Sequence, residues 1–238
     1  MKNGCNKKRY PANPNHFEEP IFVTGCARSG TSLVAGALGL CGAWMGATVP
    51  GDYRNPKGFF EHIELRENVL KQILKKIGCD PLGVTKLPHL STLPEVSNLD
   101  DTIYRLIMEE GYACSQPWLY KDAKLALLWP IYRKAFAKAR WVIVRRKSQD
   151  IVQSCLRTDF MVQHASNPAF WYVWINEYLL RLETLKTSGA WWREIWPHEL
   201  MSGNLNPLRE LVEDLDLTWD EGAVKGFITR DHWHSEVQ

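Results

Sequence analysis

The chain has 238 residues, enough to bury one α/β core, and nothing in it calls for two. Its 29 basic and 27 acidic side chains nearly cancel, which removes the strong field of a nucleic-acid-binding or membrane-adsorbing protein. Six scattered cysteines (5, 26, 41, 79, 114 and 155) include no C-x-x-C and no clustered histidines, so reduced thiols are expected rather than a zinc site or a disulfide framework.

Residues 1–18 read as a polar tail carrying the basic run Lys7-Lys8-Arg9, and residues 19–238 as a single domain. Met1–Asn6 is polar and no apolar h-region follows, so no secretory leader is expected and a cytoplasmic setting is the default. Ile21, Phe22 and Val23 read as a strand, and the chain from Thr31 onward as a helix. The nearly uncharged stretch Leu33–Val49 is Gly-rich and short for a membrane span. It reads as the buried helix behind the loop, and no stable membrane insertion is expected.

That loop runs from Gly25 through Cys26, Ala27, Arg28 and Ser29 to Gly30, followed by Thr31 and Ser32. It keeps the spacing of the phosphate-binding loop G-x-x-x-x-G-K-[ST], but Thr31 stands where the lysine belongs and Arg28 is the cation inside the turn. Free N–H groups and the positive dipole end of the following helix would cradle an anion. Without the lysine, the magnesium-bound tail of ATP is not the expected guest. Cys26 reads as a small filler under the turn.

A Gly/Pro/Asn loop (50–58) precedes an amphipathic helix over about 64–77, with Leu65, Val69, Leu70, Ile73, Leu74 and Ile77 on its apolar face. After a proline-punctuated segment comes a helix near 100–110. Trp118–Tyr120 and Trp141–Val144 read as strands, each followed by a helical pattern, and the second is apolar enough to be buried on both faces. A helix is expected over 168–186, with Trp171, Trp174 and Tyr178 forming a core stripe rather than an acceptor wall. A strand at 191–196 and helices near 207–215 and 220–228 close the chain. This alternation predicts a three-layer α/β/α fold with a mostly parallel sheet and a ligand at the carboxyl ends of its strands.

Arg146, Asp150 and Ser154, spaced four and four, follow the Trp141–Val144 strand. With Ser148 as helix cap, Asp150 falls in the first turn and Ser154 one turn on, so that Arg146 and Ser154 can reach one anion. Alternatively, Asp150 complements the helix dipole and Arg146 pairs with a surface carboxylate.

The two motifs resemble those of sulfotransferases that use 3′-phosphoadenosine-5′-phosphosulfate (PAPS). In that family P-[KR]-S-G-T-[ST] holds the 5′-phosphosulfate, matched here by Ala27-Arg28-Ser29-Gly30-Thr31-Ser32, and R-x-x-x-D-x-x-x-S grips the 3′-phosphate, matched by Arg146, Asp150 and Ser154. Asn55–Glu61, Tyr120–Lys124 and Phe227-Ile228 are weaker likenesses to bacterial-type members. The resemblance implies a P-loop NTPase-like sulfotransferase fold. It also implies metal-independent in-line transfer of a sulfuryl group from PAPS to a hydroxyl or amine of a small-molecule or glycan acceptor. Gly25, Ala27, Arg28, Ser29, Gly30, Thr31 and Ser32 would surround the 5′ end, with Arg28 also acting in catalysis. Arg146 and Ser154 would read the 3′-phosphate.

For the catalytic base, Glu61 and Asp122 compete. Glu61 reads equally as a first-turn carboxylate, Asp122 as a helix cap, and His62 as solvent-facing. Ala27 departs from the family's proline and Lys124 from its arginine, and the C-terminal R-K-G segment of the animal enzymes is missing. Leu33-Val34 follow Ser32 in place of an adenine-stacking aromatic, which leaves the adenine without an assigned partner. The alternatives are an ATP-dependent small-molecule kinase of P-loop fold and a catalytically inactive nucleotide-binding homologue.

Overall fold

The structure, a computed structural model, describes residues 15–53 and 55–229; Cys5 and the run Lys7-Lys8-Arg9 lie outside the described residues. In chain order it runs α1 (Asn15–Glu18), β1 (Ile21–Gly25), α2 (Thr31–Leu40), a π-helical turn (Leu65–Leu70) leading into α3 (Lys71–Lys76), and α4 (Leu99–Glu109). It continues through β2 (Leu119–Lys121), α5 (Leu125–Ala135), β3 (Arg140–Val144), α6 (Ser148–Leu156), α7 (Asp159–Val162) and α8 (Pro168–Lys186). The chain ends with β4 (Trp191–Ile195), α9 (Pro197–Met201), α10 (Asn206–Asp214) and α11 (Glu221–Phe227).

The strands pair in the order β2-β1-β3-β4, all parallel, as the apolar runs separated by helices require. Every residue of β1 and β3 is buried. Alternate side chains go to opposite faces. Phe22, Tyr120, Trp141 and Ile143 join a core with α3, α4, α5, α6 and α8, while Ile21, Val23, Val142 and Val144 pack against α2, α10 and α11. Each fully buried apolar side chain of this kind contributes roughly 1.5–3 kcal/mol. The three-layer α/β/α expectation holds. No helix among the described residues is long and apolar enough to cross a membrane.

Trp171, Trp174 and Tyr178 are core, as expected; Trp174 Nε1 and Tyr178 OH each donate to the Gly83 carbonyl at 2.9 Å, anchoring the irregular 79–88 segment on α8. At the other end, Phe17 of α1 stacks on Trp118, whose Nε1 donates to the Phe17 carbonyl at 3.1 Å.

Two expectations are corrected. The helix behind the loop ends at Leu40, not near Val49, because Gly42 (φ 107°) reverses the chain: the N–H groups of Gly42 and Ala43 bond to the Gly39 and Leu38 carbonyls. Ser148 is the first residue of α6 rather than its cap, since Lys147 holds the cap position and no side chain caps the helix. The expected helix over 64–77 forms, but its first part is a π-turn, whose wider repeat puts both Leu65 and Leu70 in the core.

Candidate active site

β1 and β3 are neighbours with Gly25 opposite Val144, so the chain leaves both at the same end of the sheet and residues 26–30 and 145–147 emerge side by side. Arg28 (φ 71°) and Gly30 (φ 95°) adopt left-handed backbone conformations that coil the first loop into the start of α2. For a non-glycine residue such a conformation costs on the order of 1–3 kcal/mol and marks a constrained site. Leu33 and Val34 bond back to the Gly30 carbonyl. Among the described residues, the N–H groups of Gly30, Thr31 and Ser32 have no acceptor. These three residues line the cavity, at the positive end of the ten-residue helix α2. That is an anion cradle. Ser29 is fully buried and its Oγ has no partner among the described residues.

The second motif converges on the first. Arg28 Nε donates to Ser154 Oγ at 2.9 Å, and Arg146 Nη1 donates to the Arg28 carbonyl at 3.0 Å. Asp150 stands off from Arg146 at 3.9 Å, a loose ion pair across one helical turn. Residues separated by more than 100 positions thus meet over the β1–β3 carboxyl ends.

On the other side of β1, β2 sets Lys121 opposite Val23. Its ammonium is buried and donates to Glu61 Oε1 (2.9 Å), the Phe59 carbonyl (3.1 Å) and Ser32 Oγ (3.3 Å). Arg66 Nε lies 2.8 Å from Glu61 Oε2, so both carboxylate oxygens are engaged. Burial pushes the Glu61 carboxyl up, but Lys121, Lys124 and Arg66 outweigh it and hold its pKa at about 2. Sequence reasoning missed Lys121. The available signal was a lysine closing an apolar strand at the carboxyl edge of the sheet, within the Tyr120–Lys124 likeness.

These groups surround a cavity of about 220 Å³. Arg28, Lys57, Lys121 and Arg146 line it, and Glu61 is the one carboxylate among the lining residues. Ala27, Gly30, Thr31 and Ser32 also line it, whereas Gly25, Ser29 and Ser154 are not among its lining residues. Asp122 does not reach the cavity. It is fully buried, its Oδ1 accepting the Lys124 N–H at 2.8 Å and pairing with Lys124 Nζ at 2.8 Å, a turn-forming use at the start of α5. His62 is not solvent-facing as expected. It is buried beside Trp44, 3.4 Å from Glu110, because the 44–48 segment folds back over it; burial lowers its pKa against the opposing pull of Glu110.

PAPS, the donor implied by the resemblance, presents one sulfate and two phosphate groups. Four cations facing one carboxylate among the described lining residues, and loop N–H groups with no acceptor among the described residues, form a donor set that suits such a polyanion.

No protein-family model matches the chain, and no curated protein matches it in sequence. Among solved structures it is similar to sulfotransferase STF1 from Mycobacterium tuberculosis (15% identity, TM-score 0.48, covering 93% of this chain and 74% of that one). A comparable likeness is found to sulfotransferase STF9 from Mycobacterium avium (15% identity, TM-score 0.48, covering 91% and 69%). The match to the sulfotransferase domain of the Synechococcus PCC 7002 olefin synthase has 15% identity and a TM-score of 0.55, covering 94% of this chain and 82% of that one. On that last comparison, and on the parallel four-stranded sheet between two helical layers, the chain has the fold of a sulfotransferase domain.

Proposed function

We propose that the protein is a PAPS-dependent sulfotransferase acting on a hydroxyl or amine of a small-molecule or glycan acceptor. The observation that carries this reading is the convergence of Arg28, Arg146 and Ser154 beside the loop cradle. A kinase would need a lysine where Thr31 stands and has no use for the Arg146–Ser154 pair.

In this reading the loop N–H groups, with Thr31 and Ser32, hold the 5′ end, and Arg146 and Ser154 hold the 3′-phosphate. PAPS supplies an activated sulfuryl group on a phosphate leaving group. Arg28 and Lys121 neutralise charge on the leaving oxygens, and positioned cations and dipoles let the transfer run without a metal. Glu61 takes the acceptor's proton. Its ion pairs keep it deprotonated at neutral pH, as a base must be, although so low a pKa makes it a weak one.

The test is ligand stabilisation. 3′,5′-ADP is expected to raise the melting temperature well above the shift given by 5′-ADP, since the 3′-phosphate engages the second cluster. Arg146→Ala is expected to weaken 3′,5′-ADP binding by roughly ten- to a hundredfold, the loss of about 1.5–3 kcal/mol for a charge-assisted contact, while leaving 5′-AMP binding nearly unchanged. Equal stabilisation by both diphosphates would remove the donor assignment.

A further inference from the structure

Cations bear on both oxygens of Glu61, yet a base needs one oxygen able to take a proton. The two contacts differ in kind. Lys121 donates a hydrogen bond to Oε1 at 2.9 Å. Arg66 Nε lies 2.8 Å from Oε2, but its N–H makes no hydrogen bond among the described residues, and Oε2 accepts none from them. Arg66 therefore leans on Oε2 as a charge and leaves that oxygen able to accept a hydrogen bond.

The π-turn brings Arg66 to this place. Its wider repeat, in which the Lys71 N–H bonds to the Arg66 carbonyl, buries Leu65 and Leu70 and sets Arg66 against Glu61. Turns of this kind are frequent at functional sites. Arg66 is itself tethered. Its Nη1 donates to Glu67 Oε1, and the Lys71 ammonium donates to the two Glu67 oxygens at 2.6 and 2.9 Å. Glu67, Arg66, Glu61 and Lys121 thus alternate in sign while side-chain exposure falls from 41% through 26% and 14% to 4%. Other ionisable groups bearing on Glu61 are Lys124 at the start of α5 and Tyr120 on β2, and Arg28, Lys57 and Arg146 line the same cavity. Lys124 is held by Asp122 and Lys121 is shared among three acceptors, so Arg66 is the cation placed on Oε2.

We infer that Arg66 is a positioning residue for the base: it fixes Glu61 through Oε2 without donating a hydrogen bond there, and Oε2 is the atom that receives the acceptor's proton. This rests on the reading of Glu61 as the base. As the acceptor oxygen or nitrogen bonds to sulfur and the bond from sulfur to the 5′-phosphate oxygen breaks, the proton passes to Oε2 and the bonding pair stays on the phosphate. A guanidinium donating squarely to Oε2 would compete with the acceptor for that oxygen.

The experiment pairs carbon-13 NMR titration of the Glu61 carboxylate, assigned with Glu61→Gln, with hydrolysis of PAPS, in which water serves as the acceptor. Both are run on wild type, Arg66→Met, Arg66→Lys and Glu67→Gln. Removing a cation that favours the carboxylate is expected to raise its midpoint in Arg66→Met by about one pH unit or more. Hydrolysis at neutral pH is expected to fall at least about tenfold there although the base is stronger, because the carboxylate is no longer held in place, while 3′,5′-ADP affinity is retained. Arg66→Lys keeps the charge and is expected to restore most of both. An unmoved midpoint in Arg66→Met overturns the brace, and a moved midpoint with unchanged hydrolysis overturns its part in the reaction. Glu67→Gln frees Arg66 from its tether and decides the matter if Arg66→Met does not fold: slower hydrolysis supports the proposal, and a wild-type rate overturns it. Hydrolysis as fast in Glu61→Gln as in wild type removes the base reading and the proton's destination with it, while the titration still decides whether Arg66 holds the carboxylate.

Discussion

Both oxygens of Glu61 are occupied, by Lys121 and by Arg66, and this decides how the residue behaves on titration. Its folded-state pKa, about 2, lies below the ordinary 4.5, so the unfolded chain takes up this proton first as the pH falls. The stability it contributes is complete above pH 4.5 and is lost as the pH falls toward about 2. Glu61→Gln leaves the Lys121 ammonium without its carboxylate and is expected to cost roughly 3 kcal/mol at neutral pH. Urea unfolding should show that gap between wild type and variant closing across the acid range. If Glu61 is the base, the same variant loses turnover while 3′,5′-ADP binding survives. The Arg146, Asp150 and Ser154 spacing is legible in the sequence because a helix converts intervals into faces. The partners of Glu61 are not, because they come from another strand and from the π-turn.

Elements are legible where burial is periodic and obscure where the chain turns. β1 and β3 show their apolar runs directly, and the i, i+3, i+7 spacing on α8 places Trp171, Trp174 and Tyr178 in the core. The end of α2 does not show itself, because Gly39 and Gly42 lie in one uncharged stretch and only the backbone bonds reveal which of them reverses the chain. A methyl group placed on Gly42 would meet nothing within 4 Å, so Gly42→Ala tests backbone conformation alone. It is expected to destabilise the fold by about 1 kcal/mol, read by chemical denaturation, with 3′,5′-ADP affinity unaltered. A larger loss, or weaker binding, would mean that the reversal also shapes the loop at the opposite end of α2.

For the molecule as a whole, a net charge of +2 conceals a strong local imbalance, because Arg28, Lys57, Lys121 and Arg146 share a cavity with a single carboxylate among the described lining residues. Binding of a polyanion there is expected to weaken several-fold between about 50 mM and 500 mM salt as screening lengths shrink. Arg146→Ala should show a shallower dependence when both proteins are titrated with 3′,5′-ADP across that range. Residue order alone carried the α/β/α architecture and the likeness of both anion-binding motifs, because hydropathy period and short-range spacing are local properties of a chain. The burial of His62, the pairing of Lys121 with Glu61 and the withdrawal of Asp122 beneath the cavity are long-range contacts. They depend on which strand lies beside which and on how loops return over the sheet, and only the packed fold settles that.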